Sequence, residues 1–449
     1  MRGGRDDADD PNSESFHAMT PAAHEEAHAP SSPARRRISI MLLLVGAVCA
    51  GMGQTIVFSV VPPLARDIGL TNFQVGLIFA ISATFWVWSG PIWGRMSDRK
   101  GRKPFILIGM LGFAMSMALF GGAMALGLAG VLSGLPLYLL IISMRSIYGL
   151  VGSAGPPAAQ AYIADRTSQH DRTAGIASFS AAFGFGAMLG PAFGAAASMI
   201  GRFAPFYAMS ALGLVMMVMV FAFLPERTGP HQREARAKVR LTDPRLTHFL
   251  IFALVFSVVN AIPIQTIAFY FIDRLGYSTA DAPHFVSIGL TAGAVASLFS
   301  QLVIVQRMRL SPARLMRIAP ALMIGGHLMI LMSDHLWPVV IGMIASGFGS
   351  GMAFPASTAA ASLAVKPEEQ GAAIGLASAA SASGFIVTPA IAFSLYARAP
   401  QAPFVLTVVL AAAILVFAWR SRAIGAAVPG REDDLPPEAV EEPAAAPYS

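Results

Sequence analysis

The chain has one cysteine, Cys49, in 449 residues. No disulfide can close within it, and no cysteine or histidine spacing suits a metal or redox centre. Charge is scarce too. Asp, Glu, Lys and Arg make up 12% of the residues and apolar residues 55%, with a mean hydropathy of +0.61. A soluble domain carries about twice that share of charge, so this balance excludes one. Within the apolar stretches there is no paired carboxylate, activated nucleophile or metal constellation, which excludes an enzyme. No cofactor is implied. The net charge of +6 has no basic patch on a polar surface behind it, which excludes a nucleic-acid partner.

What is present is long apolar sequence. A helix needs about 20 apolar residues to cross a hydrocarbon core of about 30 Å. Twelve stretches meet that length: 39–61, 72–93, 104–127, 136–160, 171–197, 204–224, 247–271, 284–305, 314–333, 336–359, 371–396 and 401–420. They are called segments 1 to 12 below. Lipid cannot satisfy the edge of an open sheet, so the expected class is all-α integral membrane with twelve transmembrane helices. The bilayer is the implied partner. Gly, Ala and Ser are frequent in the segments and let helix backbones approach closely.

Lys and Arg placement orients the chain. With the amino terminus inside, inner connections hold twenty-three of these cations and outer ones only Arg66, Arg202, Arg274 and Arg398. By the positive-inside bias, both termini are expected to be cytoplasmic and the protein to be multi-pass in the cell inner (plasma) membrane. Residues 1–37 are polar and rich in Pro, Ser and His, without the order of a cleavable leader. They are expected to form a disordered cytoplasmic tail, as are the acidic, Pro-rich residues 423–449.

The chain repeats itself at an offset of 198. Gly149 meets Gly347, Pro157 meets Pro355, Ile176 meets Ile374, Gly186 meets Gly384 and Pro191 meets Pro389, while Asp171 meets Glu369. Residues 225–246, with three prolines and six cations, read as a cytoplasmic linker. The predicted arrangement is two pseudo-symmetric six-helix bundles, 38–224 and 247–422, with a small-molecule site between them. Positions shared by the halves are architectural. Charges found in one half only are the functional candidates.

Three motifs stand out. Between segments 2 and 3, Gly94-Arg95-Met96-Ser97-Asp98-Arg99-Lys100-Gly101-Arg102-Lys103 places five cations and one acid in ten residues. It is expected to be a compact loop, with Gly94 allowing close helix approach and Gly101 a tight turn. Segment 5 carries Gly186-x-x-x-Gly190-Pro191-x-x-Gly194. Segment 4 carries Arg145 about nine residues into the segment, roughly 13 Å deep at 1.5 Å per residue. A cation there is a functional candidate by default, although bonding to segment 1 carbonyls or Gln54 would make it structural. Its repeat partner is Met343.

The first motif resembles the signature between helices 2 and 3 of the major facilitator superfamily of secondary transporters. The second resembles the antiporter signature of that superfamily's drug exporters and tetracycline efflux pumps, although Ala195 and Ala177 replace two of its glycines. The resemblance spans residues ~38–422. It implies the major facilitator fold, efflux of drug-like or amphipathic small molecules by alternating access, protons as the coupling partner and a monomer. It further implies that Asp98, Arg99 and Arg102, with Gly94, Gly101 and Asp165, latch the cytoplasmic side by docking on the amino end of segment 11. Arg145 matches the arginine linked to proton coupling. A nutrient or metabolite importer, or an uncoupled facilitator of the same fold, is the alternative, because no acid lies in the cores of the cavity segments. Asp67 and Asp273 fall near outer ends and are expected to be solvated. His327 reads as packed rather than titrating. Trp88 suits an interfacial belt. Gln54, Phe58, Tyr148, Asn260, Gln265, Tyr270 and Phe354 are the substrate-cavity candidates.

Overall fold

A computed structural model describes residues 33–166, 169–225, 240–308, 310–366 and 369–426. Most of both expected tails, the linker cations between 226 and 239, and Arg309 lie outside the described residues. The elements are α1 (Pro33–Asp67), α2 (Asn72–Lys100), α3 (Lys103–Leu128), α4 (Gly134–Leu150), α5 (Gly155–Asp165), α6 (Gln169–Ser198), α7 (Ala204–Phe223), α8 (Pro244–Asp273), α9 (Ala282–Phe299), α10 (Pro312–Leu331), α11 (Leu336–Leu363), α12 (Gln370–Tyr396), α13 (Ala402–Arg420) and the short α14 (Arg422–Ala426). Twelve membrane-length apolar spans result, as expected. Segment 4 is α4 and α5 together, and segment 8 is α9 with the π turn Ser300–Val305.

Local chemistry sets the ends. Thr71 and Gln74 form a capping box at the head of α2, satisfying amide groups that the helix itself cannot. Asp243 caps α8 and Pro244 occupies its first turn, a position where the missing amide costs nothing. Segment 4 is not one helix. A 3₁₀ turn at Gly152–Ala154 divides it, because Pro156 and Pro157 cannot donate to the preceding turn. Helix also reaches beyond two expected boundaries. Part of the first expected tail is the start of α1, and residues 422–426 are helical.

The internal repeat is a packing repeat. A Cβ on Gly149 would lie 2.3 Å from the Ser82 carbonyl oxygen, and one on Gly347 would lie 2.0 Å from that of Gly293. Segment 4 thus touches segment 2 as segment 10 touches segment 8. A Cβ on Gly186 would fall 1.9 Å from the Val48 carbonyl oxygen, and one on Gly384 would fall 2.6 Å from Ser257 Cβ. Segments 5 and 1 therefore meet as segments 11 and 7 do. Lipid offers no hydrophobic drive between helices, so such backbone contact is what holds each bundle.

The start of α1 and the short α14 lie on one face, called here the tail face. Across the two halves α6 touches α9, α2 touches α12, and α1 touches α8 and α9. The located side-chain contacts gather at the opposite face. There Phe393 fills the space beside Gly76, and one apolar cluster includes Phe58 and Phe79 from the first half and Phe269, Phe393 and Tyr396 from the second. The halves close against each other at this face.

Candidate functional site

At the tail face α2 continues helically to Lys100. Most of the expected loop is therefore the last turns of a helix, and only Gly101 and Arg102 connect it to α3. Gly101 has a φ of 95°, a backbone that favours glycine and reverses the chain at once. Arg102 follows. Its Nη1 donates to Asp98 and, over 2.9 Å, to Ser97 Oγ; its Nε donates over 3.1 Å to Asp165 Oδ2. One guanidinium thus ties the end of α2 to the end of α5. The charges are half-buried, so the arrangement is hydrated and able to exchange partners. Arg99 is exposed at the helix end. Gly94 does not mediate a tight approach: a Cβ there would reach only Pro157, at 3.9 Å.

The expected docking on segment 11 falls partly on residues 367 and 368, outside the described residues. Among the described residues, the amino end of α12 is bonded within its own half. Arg245 donates to Glu369 Oε2 at 2.9 Å and to Asp243 Oδ2 at 2.8 Å. Those bonds hold both carboxyls below the usual carboxylate range. Among the described residues, the tail face thus carries an arginine-centred cluster in each half, built from different positions.

Along segment 5, Gly186, Gly190 and Gly194 line one seam against α1. A Cβ on Gly190 would meet Thr55 Oγ1 at 2.1 Å and the Met52 carbonyl oxygen at 2.5 Å, and one on Gly194 would meet Ile56 at 2.6 Å. Thr55 Oγ1 donates across the seam to the Ala187 carbonyl, 2.9 Å away. Pro191 lies inside α6 without ending it.

Arg145 is 3% exposed. Its guanidinium lies 4.6 Å over the Tyr148 ring and 6.0 Å from the Phe79 centroid, and Nε and Nη1 have no hydrogen-bond partner among the described residues. Cation–π attraction from a desolvated site partly replaces hydration. The anticipated bonds to segment 1 or Gln54 are not what hold it. Phe58 stacks obliquely on Phe79, and Trp86 on Tyr148, so three of these rings and the cation form one continuous unit with Phe58.

The other cavity candidates separate. Gln54 and Asn260 are half-buried, Phe354 packs its edge on Phe256, and Gln265 is buried with Oε1 unpartnered among the described residues. Tyr270 is a correction. It is 0% exposed and its hydroxyl donates to the Ile330 carbonyl at 2.9 Å. The helical turn carries it into a buried cluster of the second half with Phe271 and Phe404. His327 is fully buried as a packing residue, and Trp88 is exposed.

Asp67 and Asp273 are not simply solvated. Asp67 pairs with Arg202. Asp273 takes both its oxygens to Arg66, each at 2.6 Å, and accepts from the Tyr396 hydroxyl at 2.8 Å. Sequence reading treated Arg66 only as an outer cation. Its position beside a helix end gave no sign of a partner 207 residues away.

The family model of the Major Facilitator Superfamily matches residues 43–324 and 283–446. The chain belongs to the Major Facilitator Superfamily. It is a multi-pass membrane transporter and not an enzyme. Multidrug resistance protein 1 of Bacillus subtilis (strain 168) is 27% identical over 400 residues, covering 87% of this chain and 98% of the relative. The quinolone resistance protein NorA of Staphylococcus aureus (strain MSSA476) is 25% identical over 380 residues, covering 83% and 93%. Two solved structures share the superfamily fold. A bacterial homolog of the human lysosomal transporter Spinster, inward-facing and unoccupied, has a TM-score of 0.68 at 16% identity, covering 88% of this chain and 98% of its own. The human organic anion transporter MFSD10 has a TM-score of 0.61 at 18% identity, covering 85% and 99%. Within this superfamily member, the seam of segments 1 and 5 and the cluster on Arg102 are the places where the resembled motifs become geometry.

Proposed function

We propose that the chain is a proton-coupled exporter of drug-like or amphipathic small molecules, working by alternating access in the cell inner membrane with the tail face cytoplasmic. The carrying observation is the glycine seam of Gly186, Gly190 and Gly194 against α1, where the backbones touch. Helices this close move as one body, which suits a rigid-body exchange between two open states. The relatives' names, multidrug resistance and quinolone resistance proteins, favour export. Asp98, Arg102 and Asp165 act as the latch that biases closure at the cytoplasmic side. Arg145 acts in coupling, because a desolvated cation whose Nε and Nη1 lack hydrogen-bond partners among the described residues responds to any charge that enters beside it. The protein works as a monomer of two six-helix bundles.

One observation favours a second reading, an uncoupled facilitator or importer. Asp67, Asp98, Asp165 and Asp273 all sit at the ends of spans, and no Asp or Glu lies in a span's middle among the described residues. Inverted vesicles loaded with a panel of labelled compounds, with and without an imposed proton gradient, separate the two. Gradient-driven accumulation is expected. Equilibration that ignores the gradient selects the facilitator.

A further inference from the structure

Among the described residues, three ion pairs occupy the face opposite the tail face. Asp67 with Arg202 and Arg274 with Asp334 each stay within one half. Arg66 with Asp273 crosses between the halves, from the end of α1 to the end of α8. The crossing pair is also the most elaborated. Asn72 Oδ1 accepts from Arg66 Nε at 3.3 Å and Nη2 at 3.1 Å, aiming the guanidinium. The Phe269 ring lies 5.4 Å beneath it. Tyr396, at the last turn of α12, donates to the same carboxylate. Four helices from both bundles thus converge on one fork-to-fork pair, a geometry that arginine and carboxylate match in two parallel bonds.

We infer that Arg66, Asp273 and Tyr396 form the outer gate of this transporter, the contact that must break for the binding site to open away from the tail face. The ring cluster of Phe269, Phe393 and Tyr396 beneath it excludes water, and the ion pair above it fixes the register of the two bundles. Side-chain exposures of 29% for Arg66 and 23% for Asp273 leave both groups in reach of water. A fully buried pair would be too costly to separate in every cycle, whereas a half-exposed one is replaced by hydration as it opens. Unlike the tail-face cluster on Arg102, which lies within the first half, this pair joins the two halves. The inference rests on alternating access and not on what is carried, so its test reads conformation.

The reporter is Ile264→Cys in a Cys49→Ala background. Ile264 packs against the ring cluster, nine residues below Asp273 and so roughly 13 Å deeper. Labelling by a membrane-impermeant maleimide added outside intact cells measures the open-outward population. Arg66→Ala and Asp273→Asn are expected to raise the labelling rate roughly fivefold, the population change a half-exposed ion pair allows. Asp334→Asn, which breaks a pair within one half, is expected to leave it unchanged. The exchange Arg66→Asp with Asp273→Arg is expected to return labelling towards wild type. Wild-type labelling in the single variants, an equal rise in Asp334→Asn, or no recovery in the exchange would each overturn the gate. If the charge variants do not reach the membrane, Tyr396→Phe decides, since it keeps the ring and removes only the hydroxyl bond. A rise supports the gate and an unchanged rate removes it.

Discussion

Arg102 donates from Nε to Asp165 across 3.1 Å and so ties the head of α3 to the end of α5. The same guanidinium holds Asp98 one turn back along the chain. Because Gly101 reverses the backbone between them, Asp98 in the last turn of α2 and Arg102 at the head of α3 face each other.

Asp98→Asn is expected to insert and fold but to lose most transport. The amide can still accept one bond, yet it no longer balances the cation, and a coupling of ~1–3 kcal/mol between states shifts populations about tenfold or more. Asp165→Asn should be milder, since Arg102 keeps Asp98. Transport in vesicles, with membrane content measured alongside, checks the order. Equal and full activity in both variants would remove the latch.

Gly190→Leu is expected to block transport, and Gly186→Ala is already too large. A single methyl at residue 186 would fall 1.9 Å from the Val48 carbonyl oxygen, and backbone cannot step aside as a flexible side chain can. Overpacking of this kind typically costs ~1–3 kcal/mol. Gly184→Ala is the control, because a Cβ there meets nothing within 4 Å. Thermal unfolding in detergent and transport should both single out residues 186 and 190.

Charge selectivity should follow from Arg145. A permanent cation desolvated beside an unpaired guanidinium is repelled, so neutral, zwitterionic or anionic compounds are expected to be exported in preference to quaternary ammonium dyes. Arg145→Ala should weaken that preference. Efflux assays in cells stripped of their own pumps compare the classes. Strong wild-type efflux of an ethidium-like cation would contradict the reading.

Cys49 lines an apolar cavity of about 60 Å³ inside the first bundle, shared with Tyr148, Trp86 and Phe113. Cys49→Ala should cost about 1 kcal/mol or less and leave transport intact. The native thiol should stay unlabelled by maleimide until the protein unfolds. Rapid labelling of the folded protein would show that the first bundle opens around it.

The sequence by itself determined the class, the span count and the repeat. These depend on local content: apolar length against bilayer thickness, and Gly or Pro at a fixed offset. Gly186 and Gly384 could be paired by register alone, and each then proved to sit against the matching helix of its half. The Asp98 and Arg102 spacing was legible because it is short. Tertiary structure decided the rest. Tyr270 looked like a cavity residue until the turn of α8 placed its hydroxyl on Ile330. Arg66 looked like one more outer cation and Asp273 like a solvated end until the bundles came together, because a bond between residues 207 positions apart leaves no local trace. Charge placement along a chain tells which side of a membrane it meets. Which charges meet each other depends on how two bundles close, and that is a property of their packing.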